Sequence, residues 1–149
     1  MDIEKIELPV WERLPDLELY MDQLLGLVAR YMPAGGDDKG LTAAMVNNYV
    51  KQKILPPPVK KRYQRSHLAA LLMICAMKSV LPIASIQRLF ASAGEDEGIA
   101  RLYDDFCREY NAPGVQPENE LSTAQQIVRA ALVSRSAQAR ALELLELLD

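Results

Sequence analysis

The sequence has a single histidine, His67, and two cysteines, Cys75 and Cys107. That is too little for the usual zinc sites, which collect four closely spaced Cys and His ligands. No nucleophile–base pair, carboxylate pair or metal cluster stands out, so no catalytic machinery and no cofactor are expected. Gly35-Gly36 lacks the Gly-Lys-Ser/Thr that would continue a phosphate-binding loop. No apolar run approaches the ~20 residues needed to cross a bilayer, so no membrane association is expected. The first residues, MDIEKIELPVWERLPD, are acidic and hold no apolar signal core, which points to a cytoplasmic protein with two reduced thiols.

The most informative scarcity is local. Between Lys39 and Arg88 there is no Asp or Glu, while nine Lys or Arg occur. Residues 1–38 carry nine acids against three bases, and residues 95–149 carry eleven against five. The formal net charge of −3 therefore hides one wholly basic segment between two flanks of −6 each. An asymmetry of this kind points to a polyanionic partner more directly than net charge does.

Half of the 149 residues are apolar and a quarter are charged. That is ordinary for a soluble domain large enough to bury a core. Apolar side chains recur at three and four residues, with Gly and Pro between the periodic stretches, so the chain is expected to be all-α, mainly helical, as a single domain over 1–149. Residues 1–15 read as an extended arm with one helical turn, pinned by its Trp and Leu side chains. Asp16 can cap a helix to about Met32, with Leu17, Tyr20, Leu24 and Val28 on its apolar stripe. Thr42 reads as the N-cap of a helix to about Lys53. Ser66 can cap the next, to about Ser79, with His67 as a surface residue of its first turn. Pro82 opens a helix to about Ser92. A helix follows from Glu95 to about Tyr110, and a last one opens at Ser122 or Leu121 and runs to as far as Leu148.

The helix after Thr42 has an unusual outer face. Ala43 and Ala44 are small, Asn47, Asn48 and Gln52 are amides, and Lys51 is the charge; a solvated helix normally mixes Glu with Lys. A primary amide presents a donor beside an acceptor, which matches the N6/N7 edge of adenine in a major groove. Leu55-Pro56-Pro57-Pro58 must leave the helix. Lys60, Lys61, Arg62, Tyr63 and Arg65 follow. As a small β-hairpin they could turn cations to phosphates while Val59 or Tyr63 packs inward. The candidate DNA-binding set is thus Thr42, Ala44, Asn47, Asn48, Lys51, Gln52, Lys60, Lys61, Arg62, Tyr63 and Arg65.

The order of these pieces — a helix, ILPPP, a basic stretch with a Tyr, a helix, then LPIASI opening another — resembles the winged helix-turn-helix head of MerR-like transcription regulators. The resemblance implies that the helix before the wing enters the major groove and that basic and Tyr residues of the wing contact phosphates. It also implies a head over 16–94, with its wing at 55–65, and a C-terminal helical part over 95–149. The chain departs from that pattern in its long connector, Ala34 to Thr42, and in lacking a simple C-terminal coiled coil. Over nearly its whole length, through LPDLELYMDQLL, MVNNYVKQKILPPPVKKRY and LYDDFCREY, it also resembles the bacterial family called domain of unknown function 1836. That second resemblance implies a bacterial origin and supplies no mechanism.

The last helix ends ALELLELL, apolar on most of its faces, and is expected to pack against a second copy in a homodimer. The leading expectation is a dimeric DNA-binding transcriptional regulator. The rival is a protein-interaction module whose basic face docks an acidic partner or the chain's own acidic flanks. A small-molecule effector would find apolar lining between the 96–110 and 122–148 helices.

Overall fold

The computed structural model describes residues 7–34, 39–94 and 97–148. Among them are six α-helices: α1 (Met21–Tyr31), α2 (Ala43–Lys51), α3 (Arg65–Met77), α4 (Ile83–Ala93), α5 (Glu97–Asn111) and α6 (Thr123–Leu145). Short 3₁₀ turns lie at Trp11–Arg13 and Glu118–Glu120. No β-sheet forms among the described residues; there are two isolated bridges, Leu19 with Tyr63 and Val59 with Arg62. No helix there is long and apolar enough to cross a membrane.

The core is built around α3. Its sequence, RSHLAALLMICAM, is apolar on every side after the first turn, and a helix of that kind belongs in an interior. Leu68, Leu71, Leu72, Met73, Ile74 and Met77 are fully buried. Helices α1, α4, α5 and α6 all pack on it. Helix α5 presents Leu102, Tyr103, Phe106 and Cys107 to this core, and α6 presents Val128, Ala131 and Leu132.

The caps follow their sequences. The Thr42 side-chain oxygen accepts from the Met45 N–H at 3.2 Å. Ser122 and Gln125 form a capping box at the start of α6, with bonds of 3.1 and 2.8 Å. Gly94, at φ 86°, ends α4 in the left-handed region that favours glycine. Gly98 is needed for a different reason: it is buried, and a Cβ there would run into the Ala93 carbonyl. Replacing Gly by Ala in an open helix normally stabilises by about 1 kcal/mol. Gly98→Ala is instead expected to destabilise by ~1–3 kcal/mol through overpacking, read as a lower urea midpoint at unchanged slope.

Three boundaries depart from the periodicity. Helix α1 starts at Met21, not after Asp16, because the Leu19 backbone pairs with Tyr63 through two bonds of 2.8 and 2.7 Å. Leu17 and Tyr20 are consequently exposed, and Leu24 and Val28 alone hold the buried stripe of α1. Helix α3 is not capped by Ser66, which lies inside it. The N-cap is Gln64, whose N–H donates to His67 Nδ1 at 3.0 Å. Helix α6 ends at Leu145.

The arm matches its expected form over its described part. Leu8 and Leu14 are buried, and Trp11 opens the 3₁₀ turn. Side chains of α5 hold its backbone: Asn111 bonds both the N–H and the carbonyl of Leu8, Tyr103 donates to the Pro9 carbonyl at 2.7 Å, and Asp104 accepts from the Trp11 N–H. Residues 1–6 of the expected arm, Gly35 to Asp38 of the connector, and Glu95 at the expected start of α5 lie outside the described residues.

Candidate nucleic-acid interface

Helix α2 buries Val46 and Tyr49 and turns the opposite side outward. Ala43, Ala44, Asn47, Asn48 and Lys51 are all exposed, as is Gln52 just past the last turn. Thr42 is exposed too, but its hydroxyl oxygen is engaged in the cap. The small side chains, the amides and the lysine thus share one free helix face.

The end of α2 is a Schellman motif. Ile54 N–H bonds the Tyr49 carbonyl at 3.0 Å, and Lys53 N–H bonds the Val50 carbonyl at 3.0 Å. The residue that turns left-handed is Lys53, at φ 63°, where glycine is usual. After the three prolines the chain reverses within two residues. Val59 N–H bonds the Arg62 carbonyl at 3.1 Å, and Arg62 N–H bonds the Val59 carbonyl at 2.9 Å. The two residues between, Lys60 at φ 52° and Lys61 at φ 63°, are both left-handed. Such a turn is normally made by Asn-Gly or Asp-Gly. Lys53, Lys60 and Lys61 are the non-glycine residues with positive φ among the described ones. Each such conformation costs on the order of 1 kcal/mol, a cost found chiefly where function needs the side chain.

The basic stretch therefore forms a tight two-residue turn, closed by one bridge, in place of an extended hairpin. Its tip carries Lys60 and Lys61, exposed and without an acidic partner among the described residues. The other members are placed differently. Arg62 Nη1 lies 2.6 Å from Glu18, and its guanidinium stands over the Tyr20 ring. The Glu18 hydrogen bond, then the Tyr20 one, raises its pKa above the usual guanidinium value. Arg65 lies 3.6 Å from Asp16 and over the Trp11 ring, with its Nε buried and unpartnered. Tyr63 is 4 % exposed and belongs to the core, while Val59 is 65 % exposed. Of the two residues that could have packed inward, Tyr63 does so, and its ring is not offered to a partner.

His67 is not the surface residue that its place in a first turn suggests. It is buried, edge-on to the Tyr63 ring at 5.2 Å. Its Nδ1 accepts from Gln64, so Nε2 carries the proton that bonds the Pro56 carbonyl at 3.0 Å. The neutral ring ties the proline run to the start of α3. Burial lowers its pKa below the ordinary 6.5, with the Pro56 bond acting in the opposite direction. The unfolded chain thus takes up a proton near pH 6.5, which the folded chain takes up only at a lower pH. Stability is full above that pH and falls as pH drops below it, at a slope of up to about 1.4 kcal/mol per pH unit. Urea midpoints measured between about pH 7 and 5 should show this slope, and His67→Gln should flatten it.

The space expected between α5 and α6 is closed. The depression lined there by Asp105, Glu109 and Gln125 has a volume of about 10 Å³, and the Glu109–Arg129 ion pair crosses the same interface at 2.8 Å. A larger cleft, of about 700 Å³, lies beside the end of α2. No contiguous sequence signal announces it, because five separate segments line it.

The model of a known family matches residues 9–106, about two thirds of the chain. The chain belongs to the family described as Domain of unknown function (DUF1836). No curated protein and no solved structure matches it. The DUF1836 match takes in α1 to α4 and most of α5, so it contains the free face of α2 and all three left-handed lysines. Helix α6 lies outside it.

Proposed function

We propose that this protein is a sequence-specific DNA-binding regulator. The α2 face reads bases in the major groove, and the Lys60-Lys61 turn grips phosphate in the manner of a MerR-like wing. The observation that carries the reading is the run of three strained lysines beside a helix face with amides and no acid. Strain at Lys53, Lys60 and Lys61 is hard to account for unless the charge matters, since Gly or Asn would fold more easily there. Such a regulator would work in the cytoplasm of a bacterium.

The reading includes a homodimer through α6. Val133 and Leu144 are exposed, and with Ile127, Ala130, Ala137 and Ala141 they recur at three and four residues on the side of α6 opposite Val128 and Leu132. The helix thus has one apolar face for the body and a second for another copy. In an antiparallel pairing the alanine-rich middles meet, where small side chains allow close approach. Two copies would then present two reading helices to an inverted repeat.

Titration of fluorescent duplex DNA across a salt series tests this. With Lys51, Lys53, Lys60 and Lys61 on phosphates in each of two copies, the log–log slope should be about −7, near −0.9 per contact. The Asp16→Asn, Glu18→Gln pair releases Arg62 and Arg65 from their carboxylates. It should tighten binding roughly tenfold and steepen the slope.

The contacts of Arg62 with Glu18 and of Arg65 with Asp16 also favour a second reading, in which these arginines dock an acidic protein. Binding to DNA that stays weak and flat with salt, in the wild type and in the double variant, would favour that reading over the first.

A further inference from the structure

The cleft beside the end of α2 joins five segments: α2, the proline run, α3, α4 and α5. Its floor is made by the buried side chains of Ile54, Leu55, Ala70 and Phe90, and Pro56 and Ile99 extend it. Its volume, about 700 Å³, is in the range of small-molecule sites. Two of its walls are fixed from outside. The Pro56 carbonyl is held by His67, and the Gln87 side-chain amide donates to the Gln52 carbonyl at 3.3 Å. The polar groups of the lining are few: Ser66, Gln87 and Lys53. Lys53 is the sole charged side chain among the described lining residues, it is exposed, and the left-handed cap of α2 sets its position. Among the described lining residues the site therefore pairs an apolar floor with one cation and no carboxylate.

We propose that this cleft binds a small amphiphile with an anionic head, a carboxylate on a short aliphatic chain. The chain lies along Ile54, Leu55 and Phe90, and the carboxylate pairs with Lys53. Apolar burial drives such binding, and the single charge chooses the head group. An occupant would touch Val50, Lys53 and Ile54, the last turn of α2 and its cap. On the reading of α2 as the base-reading helix, the amphiphile is then an effector of DNA binding; its binding to the cleft does not depend on that reading.

Calorimetry without DNA tests the site. Decanoate, decanol and decylamine are titrated separately into the full chain, each below the concentration at which it forms micelles. Decanoate is expected to bind with a Kd on the order of 10⁻⁴ M, as its size allows. Lys53→Gln should weaken it about tenfold, the effect of one charge-assisted pair. Ala91→Phe fills the cleft from an exposed position on α4 and should abolish it. Unchanged circular dichroism establishes that the variants fold. No heat with decanoate on the wild type, equal binding of decylamine, or undiminished binding in the folded Ala91→Phe variant would each overturn the proposal. Since no DNA is present, a failure here is separate from a failure of DNA reading.

Discussion

Replacing Lys60-Lys61 by Asn-Gly is expected to make the protein more stable and a far poorer DNA binder. Both lysines sit in the left-handed region, at φ 52° and 63°, with two backbone bonds closing the turn around them. Asn-Gly is the dipeptide that such a turn prefers. Relief of the two strained residues should add about 1–2 kcal/mol, raising the thermal midpoint by several degrees. Loss of two cations in each of two copies removes about four phosphate contacts. At 0.1 M salt that corresponds to a weakening on the order of 10³-fold, with the log–log slope shallower by about 3.6. The Arg-Arg variant keeps the charge and should keep the affinity. A more stable Asn-Gly variant that binds DNA as tightly as the wild type would remove the turn from the interface.

The second large effect concerns the joint between α5 and α6. Glu109 accepts from Arg129 at 2.9 Å and from the Gly114 N–H at 2.7 Å, and both side chains of the ion pair are largely buried. Burial alone would push the Glu109 carboxyl up. The Arg129 and Gly114 hydrogen bonds outweigh it and hold the group below the usual carboxylate range. Its contribution is therefore complete above the unfolded pKa and is lost as pH falls through the lower, folded one. Glu109→Ala leaves the Arg129 charge in the interface without its partner and should cost about 3–5 kcal/mol, a fall in thermal midpoint on the order of 10 °C. Glu109→Leu with Arg129→Met removes both charges and should cost far less. Thermal unfolding of the three proteins at neutral and acid pH measures both effects. If the double variant is as unstable as the single, the ion pair is not the reason.

The parts legible in the sequence are those decided by neighbours along the chain. The cap at Thr42 follows from a side chain three residues from its target. The apolar faces of α2 and α5 follow from spacing alone. The start of α1 was not legible, because Leu19 is taken out of a helical pattern by Tyr63, 44 positions away. The burial of His67 was hidden for the same reason: its two partners, Gln64 and Pro56, are backbone groups that any sequence would supply. The tight turn at Lys60-Lys61 carries none of the usual turn chemistry, so a longer hairpin was the natural expectation. In the candidate interface the free face of α2 was readable from its amides. The engagement of Arg62 and Arg65 by Glu18 and Asp16 was readable only as an excess of charge on the flank, without the pairs. The cleft beneath α2 was not readable, since its lining comes from α2, the proline run, α3, α4 and α5 together.

The central claim is that the α2 face reads sequence, and selection from a pool of random duplex DNA tests it most directly. The wild type and the Asn47→Ala, Asn48→Ala variant are carried through the same rounds at moderate salt. The wild type should enrich one motif, an inverted repeat with adenines at the positions the amides meet, each good pair giving about 1–3 kcal/mol of discrimination. The variant should keep salt-dependent binding and lose the motif. Enrichment of the same motif by the variant, or of none by the wild type, would contradict the account.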